Sequence, residues 1–448
     1  MEDSRRKFIK NTLAASAAVS VGGILPGFSA KSYNRILGAN ERVKVAMTGV
    51  HARGLALAKN YSRLKDCEIV YVCDVDSQSM SKCIDTVEKL QNSRPKPAPD
   101  FRKALEDKSL DAMVIATPDH WHAPAAILAC KAGKHVYVEK PCSHNPHEGE
   151  MLVAAARKYD RKVQMGSQRR SWPNIIAAIK ELQEGIIGRP YFGKGWYTAN
   201  RPSIGIGKAA AVPSWLNFDL WQGPAPREAY RDNILHYNWH WFWNWGTGEA
   251  LNNGTHMVDL LRWGLGVEFP TSVRSGGGRY RYKDDWQTPD TQVISWEFSN
   301  NTLMDWEGRS CNGHTIEGDS VGASFYGETG VLVIGGGDSY KVYDLKNKLL
   351  KEVKSNAPTD VRNTVDPSQT LDALHIQNFL DAIRKGTSLN AEIEKGYRST
   401  LLCQLGNIAV RAGNVSFKTD EKNGHILNNE GAGKFWKRDY EPGWEPTL

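Results

Sequence analysis

The chain contains Val136-Tyr137-Val138-Glu139-Lys140-Pro141, a short apolar run that leads into a charged pair and a proline. An apolar run that a breaker ends in this way is typical of a buried strand in a parallel sheet. In open α/β sheets, ligands bind at the carboxyl ends of the strands. We therefore expect Lys140 to extend its ammonium group into a cleft that binds ligands.

The sequence around this stretch alternates between apolar runs and helical stretches. The runs lie at residues 43–47, 69–73, 113–116 and 136–138, and a further strand is predicted at residues 161–166. Strands that alternate with helices indicate βαβ units and a doubly wound parallel sheet. We predict an N-terminal Rossmann domain of α/β class at residues 42–166.

The turn after the first predicted strand has the spacing of a dinucleotide fingerprint. Gly49 and Gly54 occupy the first and third glycine positions, while His51 occupies the middle one and Arg53 follows it. The middle glycine normally lets the backbone approach a pyrophosphate, so an ordinary strand–helix turn remains an alternative. Asp74 ends the second strand, where a carboxylate accepts a hydrogen bond from the ribose. No basic residue stands beside it, so we expect NAD rather than NADP; a solvated turn is the alternative role for Asp74.

Further cofactor contacts are expected at the ends of the next two strands. Thr117 and Pro118 follow the third strand, and His122 lies in the helix that begins there. Glu139 and Lys140 follow the fourth strand, at the same edge of the sheet. The alternative for His122 is to cap or pack against its own helix.

Beyond residue 166, strands follow one another with few helices between them. Turns rich in Gly, Pro, Asn and Asp separate runs at residues 191–198, 272–281, 291–298, 302–307, 323–326 and 331–334. This succession is typical of an antiparallel meander. Two helices, at residues 371–383 and 391–412, have apolar spacing suited to covering a core. We predict a C-terminal α/β domain with an open, mostly antiparallel sheet at residues 167–413, and a tail at residues 414–448.

Length and composition agree with two globular domains. A chain of 448 residues is too long for one core, and 40% hydrophobic with 24% charged residues is an ordinary composition. The net charge of +7 comes from basic residues spread along the chain, so nucleic-acid binding is not expected. The seven cysteines show no C-x-x-C spacing, which indicates neither a zinc site nor a disulfide framework. We expect no metal.

The N-terminus has the pattern of an export address. Arg5 and Arg6 precede an apolar stretch rich in Ala, Val and Gly at residues 13–25. This pattern predicts a twin-arginine signal at residues 1–30, followed by a linker at residues 31–41. The alternatives are a disordered basic terminus or a membrane anchor, for which the stretch is short against the roughly 20 residues needed. We expect a periplasmic protein, tethered to the membrane if the signal stays uncleaved.

Several of these features together resemble a known family. They are Gly49 with Gly54, Asp74, Thr117-Pro118, Glu139-Lys140-Pro141 and Gly254-Thr255-His256. The combination is similar to the Gfo/Idh/MocA family, which includes glucose–fructose oxidoreductase and inositol dehydrogenase. The resemblance extends from about residue 43 to about residue 413, and the Glu-Lys-Pro step is its most specific part. It implies NAD(P)-dependent chemistry on a carbohydrate or cyclitol, and we expect a homo-oligomer, either a dimer or a tetramer.

Two side chains are expected to carry the catalytic proton transfer. A hydride leaves a carbinol carbon only if the hydroxyl proton passes to a base, and the imidazole of His256 titrates in a suitable range. A partly desolvated Lys140 would orient the hydroxyl and favour the developing alkoxide. Family members commonly carry an aspartate four residues before this histidine, where this chain has Asn252. Asp259 is an alternative carboxylate, or forms a surface pair. The alternative for His256 is a structural role at the start of a helix, with its ring hydrogen-bonded within the protein.

The most unusual stretch is His236-Tyr237-Asn238-Trp239-His240-Trp241-Phe242-Trp243-Asn244-Trp245. If it were extended, its four tryptophans would share one side and His240 would lie on the other. Trp239 and His240 would then belong to a platform for sugar rings, and a packed sheet or a subunit interface is the alternative. Arg169 could hold an anionic substrate group, although a solvated loop is favoured.

These features favour an exported NAD-dependent oxidoreductase that acts on a secondary hydroxyl of a sugar or a sugar-derived glycoside. One alternative is an NAD-dependent glycosidase that works by transient oxidation; its best-known branch lacks the Glu-Lys-Pro step. The other alternative is a non-catalytic sugar-binding protein, which the substitutions at His51 and Asn252 keep open.

Overall fold

Six parallel strands form the first sheet. The structure is a computed structural model that describes residues 42–360 and 366–448. The strand order is β3-β2-β1-β4-β5-β6, which confirms the predicted doubly wound sheet. The strands are β1 (Val43–Thr48), β2 (Cys67–Cys73), β3 (Lys96–Ala98), β4 (Ala112–Ile115), β5 (His135–Val138) and β6 (Val163–Met165). The short β3, which contains a proline, had no pattern from which it could be predicted.

A helix follows each of the first five strands. These helices are α1 (Arg53–Tyr61), α2 (Ser77–Gln91), α3 (Phe101–Leu105), α4 (Asp119–Lys131) and α5 (Pro146–Lys158). Local signals start two of them. The Asp76 carboxylate accepts hydrogen bonds from the first backbone N–H groups of α2, and Asn145 caps α5, which has Pro146 at its first position. These caps fix where the loops at the carboxyl edge of the sheet end.

Ten strands form the second sheet, in the order β14-β13-β12-β11-β7-β10-β9-β8-β15-β16. All neighbouring pairs are antiparallel except β7 and β10, so the predicted mostly antiparallel sheet is confirmed. The strands are β7 (Pro190–Thr198), β8 (Ser272–Gly278), β9 (Thr291–Phe298), β10 (Thr302–Arg309), β11 (Val321–Gly327), β12 (Gly330–Ile334), β13 (Tyr340–Asp344), β14 (Leu349–Val353), β15 (Ser416–Thr419) and β16 (Ile426–Leu427).

The remaining helices pack on this sheet or link it to the first one. They are α6 (Pro173–Gln183), α7 (Phe218–Gln222), α8 (Gly248–Asn252), α9 (Gly254–Leu265), α10 (Gln369–Lys385), α11 (Ile393–Arg411) and α12 (Glu430–Gly433), with 3-10 turns at Gln168–Ser171 and Asn238–Trp241. Although α10 comes late in the chain, its Ile376, Phe379 and Leu380 share one hydrophobic cluster with Val45 and Met47 of β1. Helix α10 therefore completes the core of the first domain.

The C-terminal tail packs against the first domain of its own chain. Arg438 forms an ion pair with Glu148 at 2.7 Å, and the indole of Trp444 meets that of Trp121 edge-on at 5.4 Å. Among the described residues, no helix combines the length and apolar character that crossing a bilayer requires. The predicted export signal and linker, residues 1–41, lie outside the described residues.

The tryptophan-rich stretch is not extended, which corrects the prediction that its four tryptophans share one side. A 3-10 turn at Asn238–Trp241 rotates them apart. Trp241 stacks on Trp286 at 3.9 Å, and Trp245 meets Trp221 at 5.3 Å in the core. Buried indoles gain more from these contacts with distant residues than from a shared exposed face. The platform is therefore reduced to Trp239 and its immediate neighbours.

Candidate active site

A cleft opens where β1, β2, β4 and β5 end, and residues of the second domain cover it. It contains most of the predicted site residues: Gly49, His51, Arg53, Asp74, Thr117, Pro118, His122, Glu139, Lys140, Trp239, His240, Asn252 and His256. Gly54, Arg169 and Asp259 are not among its lining residues. The cleft lies at the strand edge where the sequence places ligand binding.

The fingerprint turn approaches the end of β4 closely. Gly49 has φ +75°, and a Cβ there would lie 2.6 Å from the backbone nitrogen of Thr117. A Cβ on Gly54 would lie 1.8 Å from the carbonyl oxygen of Gly49. Both glycines are therefore required by the packing of the turn. Because no side chain caps the start of α1, its first N–H groups are available to an anion such as a pyrophosphate.

A buried charge network lies beneath the turn. The Arg53 guanidinium donates to Glu139 Oε1 at 2.7 Å and to Asp372 Oδ2 at 2.8 Å. Burial by itself would raise the pKa of Glu139, but the cations Arg53 and Lys140 outweigh it and hold that pKa below its usual value. Glu139 is therefore an anion that fixes the end of β5 beside Lys140.

Lys140 projects from this end of β5 toward α8. Its Nζ donates to the carbonyl oxygen of Asn252 at 2.6 Å and to Asn252 Oδ1 at 3.3 Å. Burial lowers the pKa of Lys140, and Glu139 and Asp119 offset this only in part. Asn252, which the sequence places where an aspartate beside His256 was expected, therefore contacts Lys140.

His256 lies in the first turn of α9 and faces the cleft. None of the described residues forms a hydrogen bond with its ring. Burial, and then the positive charges of Lys140 and Arg169, lower its pKa well below the usual range. A ring with this pKa is neutral near pH 7 and has a lone pair available for a proton.

Two residues that the sequence suggested as substrate contacts, Asp259 and Arg169, form contacts outside the cleft. Asp259 accepts hydrogen bonds from Arg170 at 2.7 and 2.9 Å, and its Oδ1 also accepts one from Ser399. It therefore does not replace the missing aspartate beside His256. Arg169 is buried with its guanidinium 4.8 Å from the ring centre of Trp172, so it is neither a solvated loop residue nor a lining residue of the cleft.

Asp74 and His122 hold the loops around the cleft. Asp74 accepts hydrogen bonds from the backbone N–H groups of Val50 at 2.6 Å and of Asp76 at 2.9 Å. Burial raises the pKa of Asp74 to about 6. The His122 ring lies between the carbonyl oxygens of Pro141 at 2.6 Å and Thr117 at 2.7 Å. Both side chains therefore fix the strand ends as well as line the cleft.

The cover of the cleft is a stack of aromatic rings. His236 lies parallel to His51, with ring centres 3.9 Å apart and planes inclined by 9°, and Trp215 stacks on its other side at 5.4 Å. Trp239 and His240 stack at 3.6 Å. Sequence reasoning missed Trp215 and His236 in this role. The density of aromatic residues was the available signal, but the pairing depends on residues far apart in the chain.

The group His51, Asp76 and His236 also brings three potential metal-ligand atoms within 4.8 Å of one another. The two imidazole rings are parallel and stacked, so their nitrogen lone pairs lie in separate parallel planes. A metal ion lies near the plane of each imidazole that binds it. The geometry of these two rings is therefore that of stacking rather than of coordination.

The residues of the cleft fit a dinucleotide. The hydroxyls of Thr48 and Thr117 are buried without a hydrogen-bond partner among the described residues, and the glycine turn leaves room only for backbone. The free volume of the cleft is about 260 Å³, slightly below the roughly 300–1,000 Å³ of clefts that hold drug-sized ligands.

Comparison with known proteins gives the same division of the chain. A family model described as "Oxidoreductase family, NAD-binding Rossmann fold" matches residues 43–167. A second model, "Oxidoreductase family, C-terminal alpha/beta domain", matches residues 205–414. Together these models cover most of the chain.

Individual relatives are more distant. A "Glycosyl hydrolase family 109 protein" of Saccharopolyspora erythraea is 29% identical over 255 residues, which is 51% of this chain and 55% of the relative. The match thus spans about half of that relative's length. Levoglucosan dehydrogenase, solved with NADH and levoglucosan, has a TM-score of 0.63 at 18% identity, covering 84% of this chain and 99% of the other. Aldose-aldose oxidoreductase from Caulobacter crescentus has a TM-score of 0.64 at 15% identity, covering 84% and 99%.

The solved structures share the fold, and the two family models account for both domains in order. This chain belongs to the Gfo/Idh/MocA family of oxidoreductases with an NAD-binding Rossmann fold.

Proposed function

We propose that this protein is an NAD-dependent oxidoreductase that acts on a secondary hydroxyl of a sugar or a sugar-derived glycoside. The observation that carries the proposal is that Lys140 and His256, from different domains, both line the cleft of the fingerprint turn. Charge and proton-accepting groups of this kind are what the oxidation of a carbinol requires.

When bound, NAD supplies the hydride acceptor, and the turn at Gly49, the start of α1 and Asp74 would hold it. Lys140 donates a hydrogen bond to the substrate hydroxyl oxygen and stabilises the alkoxide that develops there. His256 accepts the hydroxyl proton at a ring nitrogen, because its lowered pKa keeps the ring neutral beforehand. Asn252 keeps the Lys140 ammonium in place through the bonds at 2.6 and 3.3 Å.

The substrate class rests on the aromatic cover. Trp239 and Tyr237 offer ring faces that suit the C–H surface of a sugar, and His240 offers a ring nitrogen for its hydroxyls. The Nδ1 of His240 is engaged by the Tyr237 carbonyl at 2.6 Å, so the ring has a fixed orientation. The sugars named in the related dehydrogenase and aldose oxidoreductase structures support the same class.

The proposal is tested with the protein purified without added nucleotide. We expect nicotinamide absorbance in the purified protein, or its gain on adding NAD, and reduction of that nicotinamide by at least one neutral sugar of a panel. The oxidised product should be lighter by two hydrogens in mass spectrometry. Bound nucleotide without reduction by any sugar would instead contradict a dehydrogenase and leave a non-catalytic sugar-binding protein or a redox-neutral enzyme.

A second candidate is a glycosidase that oxidises its substrate transiently. The names of the related glycosyl hydrolase family 109 proteins favour it. In such a reaction the abstracted hydride returns to the sugar, so bond cleavage proceeds without net reduction of NAD. The same Lys140 and His256 would serve, since the first step is again oxidation of a carbinol.

p-Nitrophenyl glycosides separate the two candidates. Release of p-nitrophenol without accumulation of NADH, and its loss when bound NAD is removed, would establish the glycosidase. Accumulation of NADH and of an oxidised sugar, with the glycosidic bond intact, would establish the dehydrogenase. Both readouts are made on one sample, so neither outcome depends on comparing preparations.

We further propose export through the twin-arginine route, supported by Arg5 and Arg6 before the apolar stretch. Such a route carries folded proteins, so the nucleotide would be loaded before export and would have to stay bound. Replacement of both arginines by lysine should leave the protein in the cytoplasmic fraction; an unchanged distribution would refute the proposal.

We also propose that the protein is a homo-oligomer, a dimer or a tetramer, supported by the exposed apolar side chains Val293 and Leu303 on neighbouring strands β9 and β10. Sedimentation should give a mass of two or four chains, and a monomer at micromolar concentration would contradict this.

A further inference from the structure

A second cleft, of about 530 Å³, lies on the other side of the tryptophan-rich segment. This volume is within the range of roughly 300–1,000 Å³ typical of ligand sites. Trp243, Asn244 and Thr247 line it, whereas Trp239 and His240, a few residues earlier, line the cofactor cleft. One segment thus separates two clefts, and only one of them is explained by the proposed activity.

Four polar side chains of the second cleft each form a hydrogen bond with the protein through one end of their polar group. Asn244 Nδ2 donates to the Pro226 carbonyl at 2.9 Å, Gln287 Oε1 accepts from the Trp243 N–H at 2.9 Å, and Gln404 Nε2 donates to the Ser143 carbonyl at 3.0 Å. Arg438 donates through Nε to Glu148 at 2.7 Å. Each side chain is therefore held in a fixed orientation.

The other end of each group has no partner among the described residues. The free atoms are Asn244 Oδ1, Gln287 Nε2, Gln404 Oε1 and Arg438 Nη1, which makes two acceptors and two donors. Gln404 is only 3% exposed, and its Oε1 and Arg438 Nη1 are buried without a partner. Leaving buried polar atoms unsatisfied costs about 1–3 kcal/mol each, so each of these atoms calls for a polar partner, supplied either by water or by a ligand.

The charges of the cleft are balanced. Arg438 is paired with Glu148 and Lys437 with Glu445. The remaining cations Arg411 and Lys434 share the cleft with the carboxylates Glu228 and Asp439, so no sign dominates. A simple anion or cation would need a surplus of the opposite charge, whereas a neutral molecule would not.

We propose that this second cleft binds a neutral saccharide of one or two sugar units. Each hydroxyl is both donor and acceptor, which matches two fixed donors and two fixed acceptors around one cavity. Trp243 and Phe435, which hold the Arg411 guanidinium at 4.9 and 4.3 Å from their ring centres, add aromatic surface to its wall. The proposal stands on this geometry and does not require the oxidoreductase activity.

One tryptophan can report on ligand binding in each cleft, because Trp243 lines only the second cleft and Trp239 lines only the first. The full chain is labelled with 5-fluorotryptophan, and the two ¹⁹F resonances are assigned with Trp243→Phe and Trp239→Phe. Glucose, galactose, N-acetylgalactosamine, maltose and cellobiose are then titrated to high millimolar concentration. We expect at least one of them to shift the Trp243 resonance saturably. A cleft that holds only water would give no saturable shift with any of the five and would overturn the proposal.

Gln404→Leu removes the buried acceptor. It should raise the dissociation constant of the sugar that shifts the Trp243 resonance about fivefold or more, since one hydrogen bond is lost. Gln164→Leu is the matched control. Gln164 is also a fully buried glutamine, with Nε2 bonded to a backbone carbonyl at 2.9 Å and Oε1 unpartnered, but it does not line the cleft. Asn244→Ala, at a more exposed position, provides a second variant if Gln404→Leu does not fold. Unchanged affinity in both cleft variants, or equal weakening in the control, would overturn the proposal.

Discussion

The floor and the cover of the cofactor cleft are held together by different forces. The floor is a network of buried ions, in which Arg53 bridges Glu139 and Asp372 and Glu139 flanks Lys140. The cover is a stack of rings, in which His236 lies between His51 and Trp215. Breaking a buried ion pair typically costs about 3–5 kcal/mol, whereas an aromatic pair contributes about 0.5–1.5 kcal/mol beyond its buried area.

This difference indicates a division of labour. We expect the floor to keep the reacting groups in fixed positions, as proton transfer requires, and the cover to open at a lower energetic cost when the cofactor enters. Changes in the floor should therefore affect chemistry or folding, and changes in the cover should affect exchange of the cofactor. Four variants probe this contrast.

Lys140→Met should reduce turnover about a thousandfold, because the charge that orients the hydroxyl and stabilises the alkoxide is lost. Bound nicotinamide should be retained, which absorbance measures. Lys134→Met is the matched control, since Lys134 is also buried and donates to backbone carbonyls, those of Asp107 and Leu110, but lies away from the cleft. Equal turnover in Lys140→Met and the native protein would remove Lys140 from the mechanism.

Asp74→Asn tests a buried carboxyl that lies outside the Arg53 network, through the pH dependence of stability. The pKa of Asp74 is raised to about 6, so between about pH 4 and 6 the folded protein without nucleotide binds more protons than the unfolded chain. Its free energy of unfolding should therefore fall as the pH rises through this window, by about 3 kcal/mol from this group. Urea titrations at several pH values should show that the free energy of unfolding of the variant lacks this fall with rising pH. An unchanged slope would show that the carboxyl is not desolvated.

His236→Ala tests the cover. Loss of the stack on His51 should speed the release of bound NAD about tenfold, with turnover at saturating NAD unchanged, because the ring contacts no reacting group. Stopped-flow displacement of the bound nucleotide measures the rate. His314→Ala, which does not line the cleft, serves as the control, and an unaltered release rate in His236→Ala would mean that the stack does not retain the cofactor.

Asn252→Asp introduces the carboxylate that the family resemblance implies at this position and should have the smallest effect. Asn252 Oδ1 lies 3.3 Å from Lys140 Nζ, so a carboxylate there would favour the ammonium and raise the lowered pKa of Lys140. The alkaline limb of the profile of kcat against pH should move upward by about one unit. A shift of the acid limb instead would mean that residue 252 acts on His256.

The strand ends that form the floor could be predicted from the sequence, whereas the positions of the aromatic rings in the cover could not. The ends of β1 and β5 follow from local signals: an apolar run, a glycine spacing and a terminating proline. The positions of Trp239 and Trp245 depend on a 3-10 turn and on contacts with distant rings, which no local pattern contains. Asp259 was misplaced for the same reason, because its partner Arg170 lies 89 residues away.

Helix α10 has a consequence for how this protein can be dissected. Its apolar face fills the core beneath β1, although about two hundred residues of the second domain lie between them. A fragment ending at residue 166 would therefore expose that core to water and should aggregate when expressed alone. During synthesis, the nucleotide-binding domain remains unfinished until nearly all of the chain has left the ribosome. The two domains are thus separate in architecture but form one cooperative folding unit.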